Sequence, residues 1–598
     1  MNKHLYRIIF NKTRGLLMVV AEIAKAHNGG GAREAVPNQR TCQRFSRLSS
    51  LSFSLLLALG CVSLNVQAGI VADGSAPGNQ QPTVIGSANG TPQVNIQTPG
   101  AGGVSHNKFS QFDVDNQGVI LNNSHNNTST QLGGMVTGNP WLAKKEATVI
   151  LNEVNSRNPS QLNGYIEVAG KKAQVVIANP SGITCDGCGF INANRATLTT
   201  GQTQLNNGQI TGYDIGQGNI TVQGRGMDSS RQDSTDLIAR AVNINAGIWA
   251  NDLKVTAGRN HVDADHQSIR ASAADGSTRP ALAIDVSQLG GMYAGKIRLI
   301  GTQGGVGVRN AGNIGTSAGS VVVTAEGRIE NSGTINSAQD LAVTAQGDIQ
   351  NSGNVYATVA ASGALTHSGI IASASQTRVS AASINASQQS VLAAGMNDQG
   401  QFGSTGDLTL SSQGMLSARG QNLAPGQLNV QGTAVDLSDS QTSGQHIQVT
   451  ASAGDLSTAR ASVSATQTLS LTTPGQLNNT GGKLAGDKLN LTARQLVNRQ
   501  GTVQQLGTSD LTLSHQASID NSGGTIASNS VNLTFNTDIF DNTQGQILHA
   551  GDGQLILDAG QFNDAQGTLT SNGALNLRAN TLTLDNASTQ AGQITVNA

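Results

Sequence analysis

The chain has 598 residues, of which 37% are apolar, 12% charged and 3% aromatic, with 73 glycines and 11 prolines. The charged share is about half the roughly 25% of an ordinary soluble domain, which argues against a helical enzyme whose exposed faces need strong helix formers. Apolar residues recur along the whole length, which argues against disorder. The net charge of −1 conceals an asymmetry, because residues 1–68 carry +7 and the rest −8. A mildly acidic body without Lys and Arg clusters cannot neutralise phosphates, so nucleic acid is excluded as a partner of the body. Length alone suggests about four domains of roughly 150 residues, but so repetitive a composition makes one elongated body a serious alternative.

Residues 1–68 read as a leader. Arg33, Arg40, Arg44 and Arg47 precede an apolar run from Leu51 to Leu64, and the small-residue triplet Val66-Gln67-Ala68 follows. This is the basic region, apolar region and cleavage site of a secretory signal peptide, with cleavage expected between Ala68 and Gly69. The apolar run would give ~21 Å of helix, short of the ~30 Å needed to span a bilayer, so no stable membrane span is expected after signal removal. The stretch MNKHLYRIIFNKTRGLLMVVAEIAKA makes the leader longer than an ordinary signal.

Of the four cysteines, Cys42 and Cys61 fall in the leader, which leaves Cys185 and Cys188 in a C-x-x-C. Export to an oxidising compartment favours a small-loop disulfide, with free thiols as the alternative. A zinc site lacks two further ligands nearby, and a redox centre lacks a βαβ setting. No metal and no cofactor is expected.

The body is repetitive. Residues 321–333 (VVVTAEGRIENSG) and 341–353 (LAVTAQGDIQNSG) agree at eight of thirteen positions at a shift of 20. Val321, Val323, Ala325 and Ile329 share one parity, and Thr324, Glu326, Arg328 and Glu330 the other, which is the pattern of a half-buried strand. Asparagine and glycine punctuate the ends of such strands at Asn479, Asn498, Asn521, Asn542 and Asn563, spaced by 19, 23, 21 and 21 residues. A period near 20 with short strands and tight corners predicts an all-β, right-handed parallel β-helix. Leucine-rich repeats share the period but need a leucine and asparagine ladder in fixed phase, which this sequence does not display. About 26 coils stacked at ~4.8 Å predict a rod of ~125 Å. The last residues, Gln590 to Ala598, show no capping pattern, so the chain reads as a truncated fragment.

Three blocks between leader and repeats are distinctive: HNKFSQFDVDNQGVILNNS (106–124), NEVNSRNPSQLNGYIEVAGKKAQVVIANPSGITCDGCGF (152–190) and DVSQLGGMYAGKIRLIGTQGGVGVRNAG (285–312). They resemble the secretion domain of two-partner-secretion exoproteins, the family of filamentous haemagglutinins, ShlA-type haemolysins and contact-dependent inhibition proteins. The leader resembles the extended signal region of large Gram-negative secreted proteins, and the C-x-x-C places the chain nearer the haemolysin and contact-inhibition branch. The resemblance implies an extended signal peptide over 1–68, a secretion domain of β-helical architecture over 69–310, and filamentous-haemagglutinin repeats over 311–598. It implies an outer-membrane transporter as partner, recognised through blocks matched here by Asn158-Pro159-Ser160 with Leu162, and by Asn179-Pro180-Ser181-Gly182-Ile183. Serine replaces the family's third asparagine in both blocks, and a short polar side chain still suits a turn. Physically both are strand-to-turn boundaries in which proline presets φ, so a structural role stands beside a recognition role. The edge of the first coil is expected to be open, as a template for stacking or for strand addition to the partner.

The implied role is that of an adhesin, or the stalk of a contact-dependent toxin, at the surface of a host or neighbouring bacterial cell. The alternatives are a pore-forming haemolysin and, outside the family, a polysaccharide-cleaving β-helix. The enzyme reading needs convergent carboxylates, whereas Asp340, Asp348 and Asp538 are scattered at turns. His106, His125, His261, His266, His367 and His515 show no triad-like spacing. Residues 290–296 have phosphate-loop spacing, but Ile297 replaces the required Ser or Thr. Trp141 and Trp249 are the tryptophans a sugar site could draw on, and Trp141 is expected to be buried.

Overall fold

The computed structural model describes residues 6–11, 16–21 and 69–598, apart from Lys144 and Ala274. The apolar run 51–64 and Ala68 lie outside the described residues. Tyr6–Asn11 and Leu16–Ala21 pair as a short antiparallel hairpin.

From Gly69 onward the chain is a right-handed parallel β-helix with three strands per coil. Where the repeat is most regular, a coil runs through Val321–Ala325, Ile329–Asn331 and Thr334–Asn336, and the next through Leu341–Ala345, Ile349–Asn351 and Asn354–Val355. The sequence repeat is the structural register: Val321 pairs with Leu341, Val323 with Val343, Ile329 with Ile349 and Asn331 with Asn351. Val321, Val323, Ala325 and Ile329 are at most 1% exposed, and Glu326 and Arg328 face solvent, as alternation requires.

The second strand of each coil builds a 20-stranded ladder. Twenty rungs at ~4.8 Å give a stack of ~95 Å, shorter than the ~125 Å expected from an unbroken 20-residue period. The shortfall has two sources: the ladder begins only at Ser160–Leu162, and further residues are diverted sideways. A hairpin at Thr128–Thr130 and Gly134–Val136 and a four-stranded antiparallel sheet over Gln202–Asn206, Gln209–Ile215, Asn260–Asp263 and Ile269–Ala271 leave the helical path.

That side sheet explains the unalternating run Val175-Val176-Ile177. Val175 and Ile177 face the main core, while Val176 and Ala178 pack outward with Tyr213, Ile238 and Val262 beneath the side sheet. A strand buried on both faces reads as continuously apolar. The first coil is also not an open edge. Ile70–Ala72 pairs antiparallel with Val104–Phe112, and Thr83–Gly86 pairs antiparallel with Pro92–Asn95, so antiparallel strands lie over the edge expected to serve as a template.

One apolar cluster runs from Val94 to Ala579. Within it an aliphatic and aromatic column passes without a break from Ile183 through Ile220, Val242, Ile284, Val308, Ile329 and Ile349, and on to Phe540, Phe562 and Leu582.

Beside that column, at the corner after the second strand, buried amides form hydrogen-bonded ladders. Asn310 Nδ2 donates to Asn331 Oδ1 at 2.8 Å and Asn331 to Asn351 at 2.7 Å, and His367 ends the run. A second ladder links Asn479, Asn498, Asn521 and Asn542 at 2.6–2.7 Å per step. It ends on Asp564 rather than Asn563: Asn542 Nδ2 donates to Asp564 Oδ1 at 2.6 Å. The regularly spaced asparagines of the sequence thus form a ladder at a β-helix corner. Each ladder asparagine also donates to the glycine carbonyl three residues on, at 3.2–3.4 Å from Asn479 to Asn542, which no carboxylate can do.

Burial pushes the Asp564 carboxyl up to about 6, against the donor from Asn542, and its Oδ2 has no partner. The folded chain then holds a proton that the unfolded chain has lost, so stability falls as pH rises from about 4 through about 6. Asp564→Asn restores the donor toward Gly567 and removes the charge. It is expected to stabilise the coils around residue 564 by about 1 kcal/mol at pH 7.5 and to flatten that pH dependence, read by thermal melting at pH 4.5 and 7.5. An unchanged pH profile contradicts this assignment.

Candidate functional site

The two Asn-Pro blocks occupy the same corner of successive coils. Ser160–Leu162 pairs with Ile183–Cys185, with Ser160 opposite Ile183 and Leu162 opposite Cys185. Asn179 is fully buried and acts in three directions. Its Oδ1 accepts from Ser181 N at 2.9 Å, closing an Asx turn, and its Nδ2 donates across the coil to Asn158 O at 2.9 Å and Ser160 Oγ at 3.0 Å. Its carbonyl accepts from Gly182 N at 3.0 Å. Gly182 has φ of +119° and sits 3.2 Å from Asn219 O at the place a Cβ would occupy, so both conformation and space call for glycine.

The serines at the third positions have defined partners. Ser160 Oγ receives the Asn179 amide, and Ser181 Oγ donates to Ser156 O at 3.1 Å. Each short hydroxyl ties one coil to its neighbour. Asn158 and Pro159 are exposed, Pro180 and Ser181 half-buried, and Gly182 and Ile183 buried. The geometry thus separates two roles: Asn179 holds the corner, and Asn158-Pro159 presents it to solvent.

One strand further on, Cys185 and Cys188 are joined across the corner Asp186-Gly187, with their Cα atoms 5.3 Å apart. Arg225 lies over this corner, which spacing did not reveal. Its Nη2 donates to Asp186 O at 2.6 Å, Asn163 O at 2.7 Å and Asn116 Oδ1 at 2.7 Å, stapling segments far apart in sequence. Local motifs carry no signal for such a cation, because its partners, two backbone carbonyls and the side chains of Asp186 and Asn116, lie 39 to 109 residues away.

Beneath the side sheet lies a buried ionic group. Arg195 Nε is 2.7 Å from Asp236 Oδ2, and His266 Nδ1 is 2.6 Å from Asp236 Oδ1, with Asp236 fully buried. Burial works to raise the Asp236 carboxyl, but His266 and Arg195 outweigh it and hold it below the usual carboxylate range. Burial pushes the His266 imidazole down, against the pull of Asp236.

The remaining candidates do not converge. Asp340, Asp348 and Asp538 are exposed, and Asp538 lies many coils away from the other two. Among the described residues no cluster of three His, Cys, Asp or Glu could hold a metal, and no helix is long and apolar enough to cross a membrane. Lys296 of the phosphate-loop-like segment lies on the strand Gly291–Gly301 rather than at a helix start. Trp141 is 43% exposed, not buried, because its ring lies on the surface with Nε1 donating to Thr83 Oγ1 at 3.1 Å.

Residues 68–331, which contain both corners, match the family described as TPS secretion domain, and residues 1–51 match the Extended Signal Peptide of Type V secretion system. This chain carries the secretion domain of two-partner-secretion exoproteins behind an extended signal peptide. It is 52% identical over 530 residues to Toxin CdiA of Yersinia pestis, a match covering 85% of this chain and 16% of that protein. It is 42% identical over 496 residues to tRNA nuclease CdiA-2 of Burkholderia pseudomallei, covering 81% of this chain and 16% of that protein. The chain thus spans 16% of the length of these two relatives. Among solved structures it is similar to the filamentous hemagglutinin secretion domain, with 32% identity, a TM-score of 0.42, and coverage of 54% of this chain and 98% of that one.

The signal and secretion modules make this exoprotein an exported one, carried across the periplasm and outer membrane, with an outer-membrane transporter as the implied partner. The matched region is a secretion domain and not a catalytic one.

The site generates two expectations. Asn179→Ala leaves a buried carbonyl and hydroxyl without their donor and should cost about 2–3 kcal/mol in thermal or urea unfolding, whereas Asn158→Ala should cost under about 0.5 kcal/mol. Equal costs would contradict the division of roles. Below about pH 6.5 the unfolded chain protonates its counterpart of His266 while the folded site resists, so the side sheet should loosen on acidification. Amide exchange in Gln209–Ile215 and Asn260–Asp263, corrected for intrinsic rates, is expected to accelerate relative to the coil strands between pH 7 and 5. No relative change would contradict it.

Proposed function

We propose that residues 69–310 are the module engaged by a dedicated outer-membrane transporter, and that the exposed corner Asn158-Pro159 belongs to the contact. The observation that carries this reading is the pairing of an exposed Asn-Pro step with a buried one on the next coil, inside the matched secretion domain. Buried Asn179 fixes the corner's shape, and half-buried Pro180 and Ser181 extend its surface. Residues 311–598 serve as a β-helical stalk. Stacking coils bury apolar surface as they form, so a chain emerging unfolded can fold outside with contacts made mainly between neighbouring coils.

The exoprotein acts at a neighbouring bacterial or host cell surface, as an adhesin or as the stalk of a contact-dependent growth-inhibition toxin. Relatives named as CdiA toxins favour the second. The toxic step belongs to sequence unlike this stalk, since the solvent acids here do not converge.

The test is release into the medium with and without the co-expressed transporter. Asn158→Ala and Pro159→Ala chains should keep their melting temperatures and lose at least tenfold in transporter-dependent release. Asn179→Ala should lose stability and release together. Release independent of the transporter would overturn the proposal, and so would undiminished release of both surface variants.

A further inference from the structure

Outside the corners, the outer face of the coils carries a second feature. Tyr165, Gly189, Asp228, Trp249 and Tyr293 are register partners on successive coils and form one column along the axis. The three rings are exposed, at 36% for Tyr165, 45% for Trp249 and 43% for Tyr293. Large aromatics in the open are uncommon in a chain that is 3% aromatic, and three in one column are a patch rather than a scatter.

The column is built to hold its rings in place. Glycines lie beside each ring where any side chain would collide: a Cβ at Gly189 would stand 2.5 Å from Tyr165 Cε1, one at Gly247 2.7 Å from Trp249 Cη2, and one at Gly291 2.8 Å from Tyr293 Oη. Trp249 and Tyr293 stack with centroids 6.3 Å apart and planes 20° from parallel. Tyr165 Oη donates to Asp228 Oδ2 at 3.0 Å across the glycine between them.

Next to Tyr165 the column opens into a shallow cavity of about 240 Å³ whose rim carries Gln131, Asp228 and Arg231. Its wall includes Gln232, which is 1% exposed and donates from Nε2 to Phe190 O at 3.0 Å, while its Oε1 has no hydrogen-bond partner. A buried amide oxygen left unpaired costs about 1–3 kcal/mol unless a donor reaches it.

We propose that this column is a binding strip for a linear chain of neutral hexopyranose units borne on a cell surface. Ring faces take up the C–H faces of sugars, and the flanking carboxylate, guanidinium and amides match their hydroxyls as donors and acceptors. The coil repeat of ~4.8 Å is close to the length of one pyranose in a chain, so successive coils can meet successive sugars. A protein partner fits less well. A folded protein surface lacks the one-dimensional repeat that residues set in register along successive coils would match.

The probe is an array of linear gluco-, galacto- and manno-oligosaccharides, screened with the mature chain purified from medium and followed by calorimetry on any hit. Wild type is expected to bind at least one oligosaccharide and to do so more tightly as length grows from two to four units. Trp249→Ala and Tyr293→Ala should each weaken binding at least tenfold with unchanged melting, Trp249→Phe should restore some of it, and transporter-dependent release should be unaffected. Binding to no member of the array overturns the proposal. So does binding that these substitutions leave unchanged, or a loss of release in Trp249→Ala, which would assign the strip to the transporter.

Discussion

Everything in this molecule depends on register passed from one coil to the next. A strand's side chains alternate between core and solvent, so a slip of one residue would turn a whole apolar column outward. Parallel coils offer no hairpin turn to fix the register, and each must read it from the edge already formed. The column starting at Ile183 and the amide ladders beside it supply that reading. Apolar packing penalises a slip over the whole strand, while a buried asparagine penalises it at one point, because its amide finds a partner only at the matching corner. Asn179 does the same work at the start of the column, tying its own turn to the previous coil through Asn158 and Ser160.

Antiparallel strands over Ile70–Ala72 and Thr83–Gly86 occupy one end of the stack, so new coils have a template on the carboxyl-terminal side. In the proposed function, the exposed Asn-Pro corner beside its buried counterpart is the shaped surface that a transporter meets. The stalk then extends coil by coil, with no long-range contact needed to complete it.

The strands were legible because their cause is local. Val321, Val323, Ala325 and Ile329 announce a buried face by parity alone, and the shift of 20 announces its partner. The corners at Asn158 and Asn179 were legible as turns. Their division into an exposed and a buried copy was not, since it depends on which coil covers which. The coil count was overestimated because residues before Ser160 lie outside the counted ladder and because the side sheet is made of residues whose own alternation is ordinary. The strands beneath it gave the local sign of cover, in unbroken apolar runs at Val149-Ile150-Leu151, Val175-Val176-Ile177 and Leu237-Ile238-Ala239. Asp564 was missed by one position because Asn563 carries the more typical corner residue. Arg225, Gln232 and the column of Tyr165, Trp249 and Tyr293 bring together residues distant in sequence, and no spacing rule connects them.

The most direct test of register passed from a seeded end is pulse-labelled hydrogen exchange during refolding of the mature chain. The account predicts that amides of Ser160–Leu162 and Ile183–Cys185 gain protection first, and that protection then advances toward Leu533–Asp541 and Gln554–Asn563. Protection of the carboxyl-terminal coils before or independently of the Asn179 corner would contradict it.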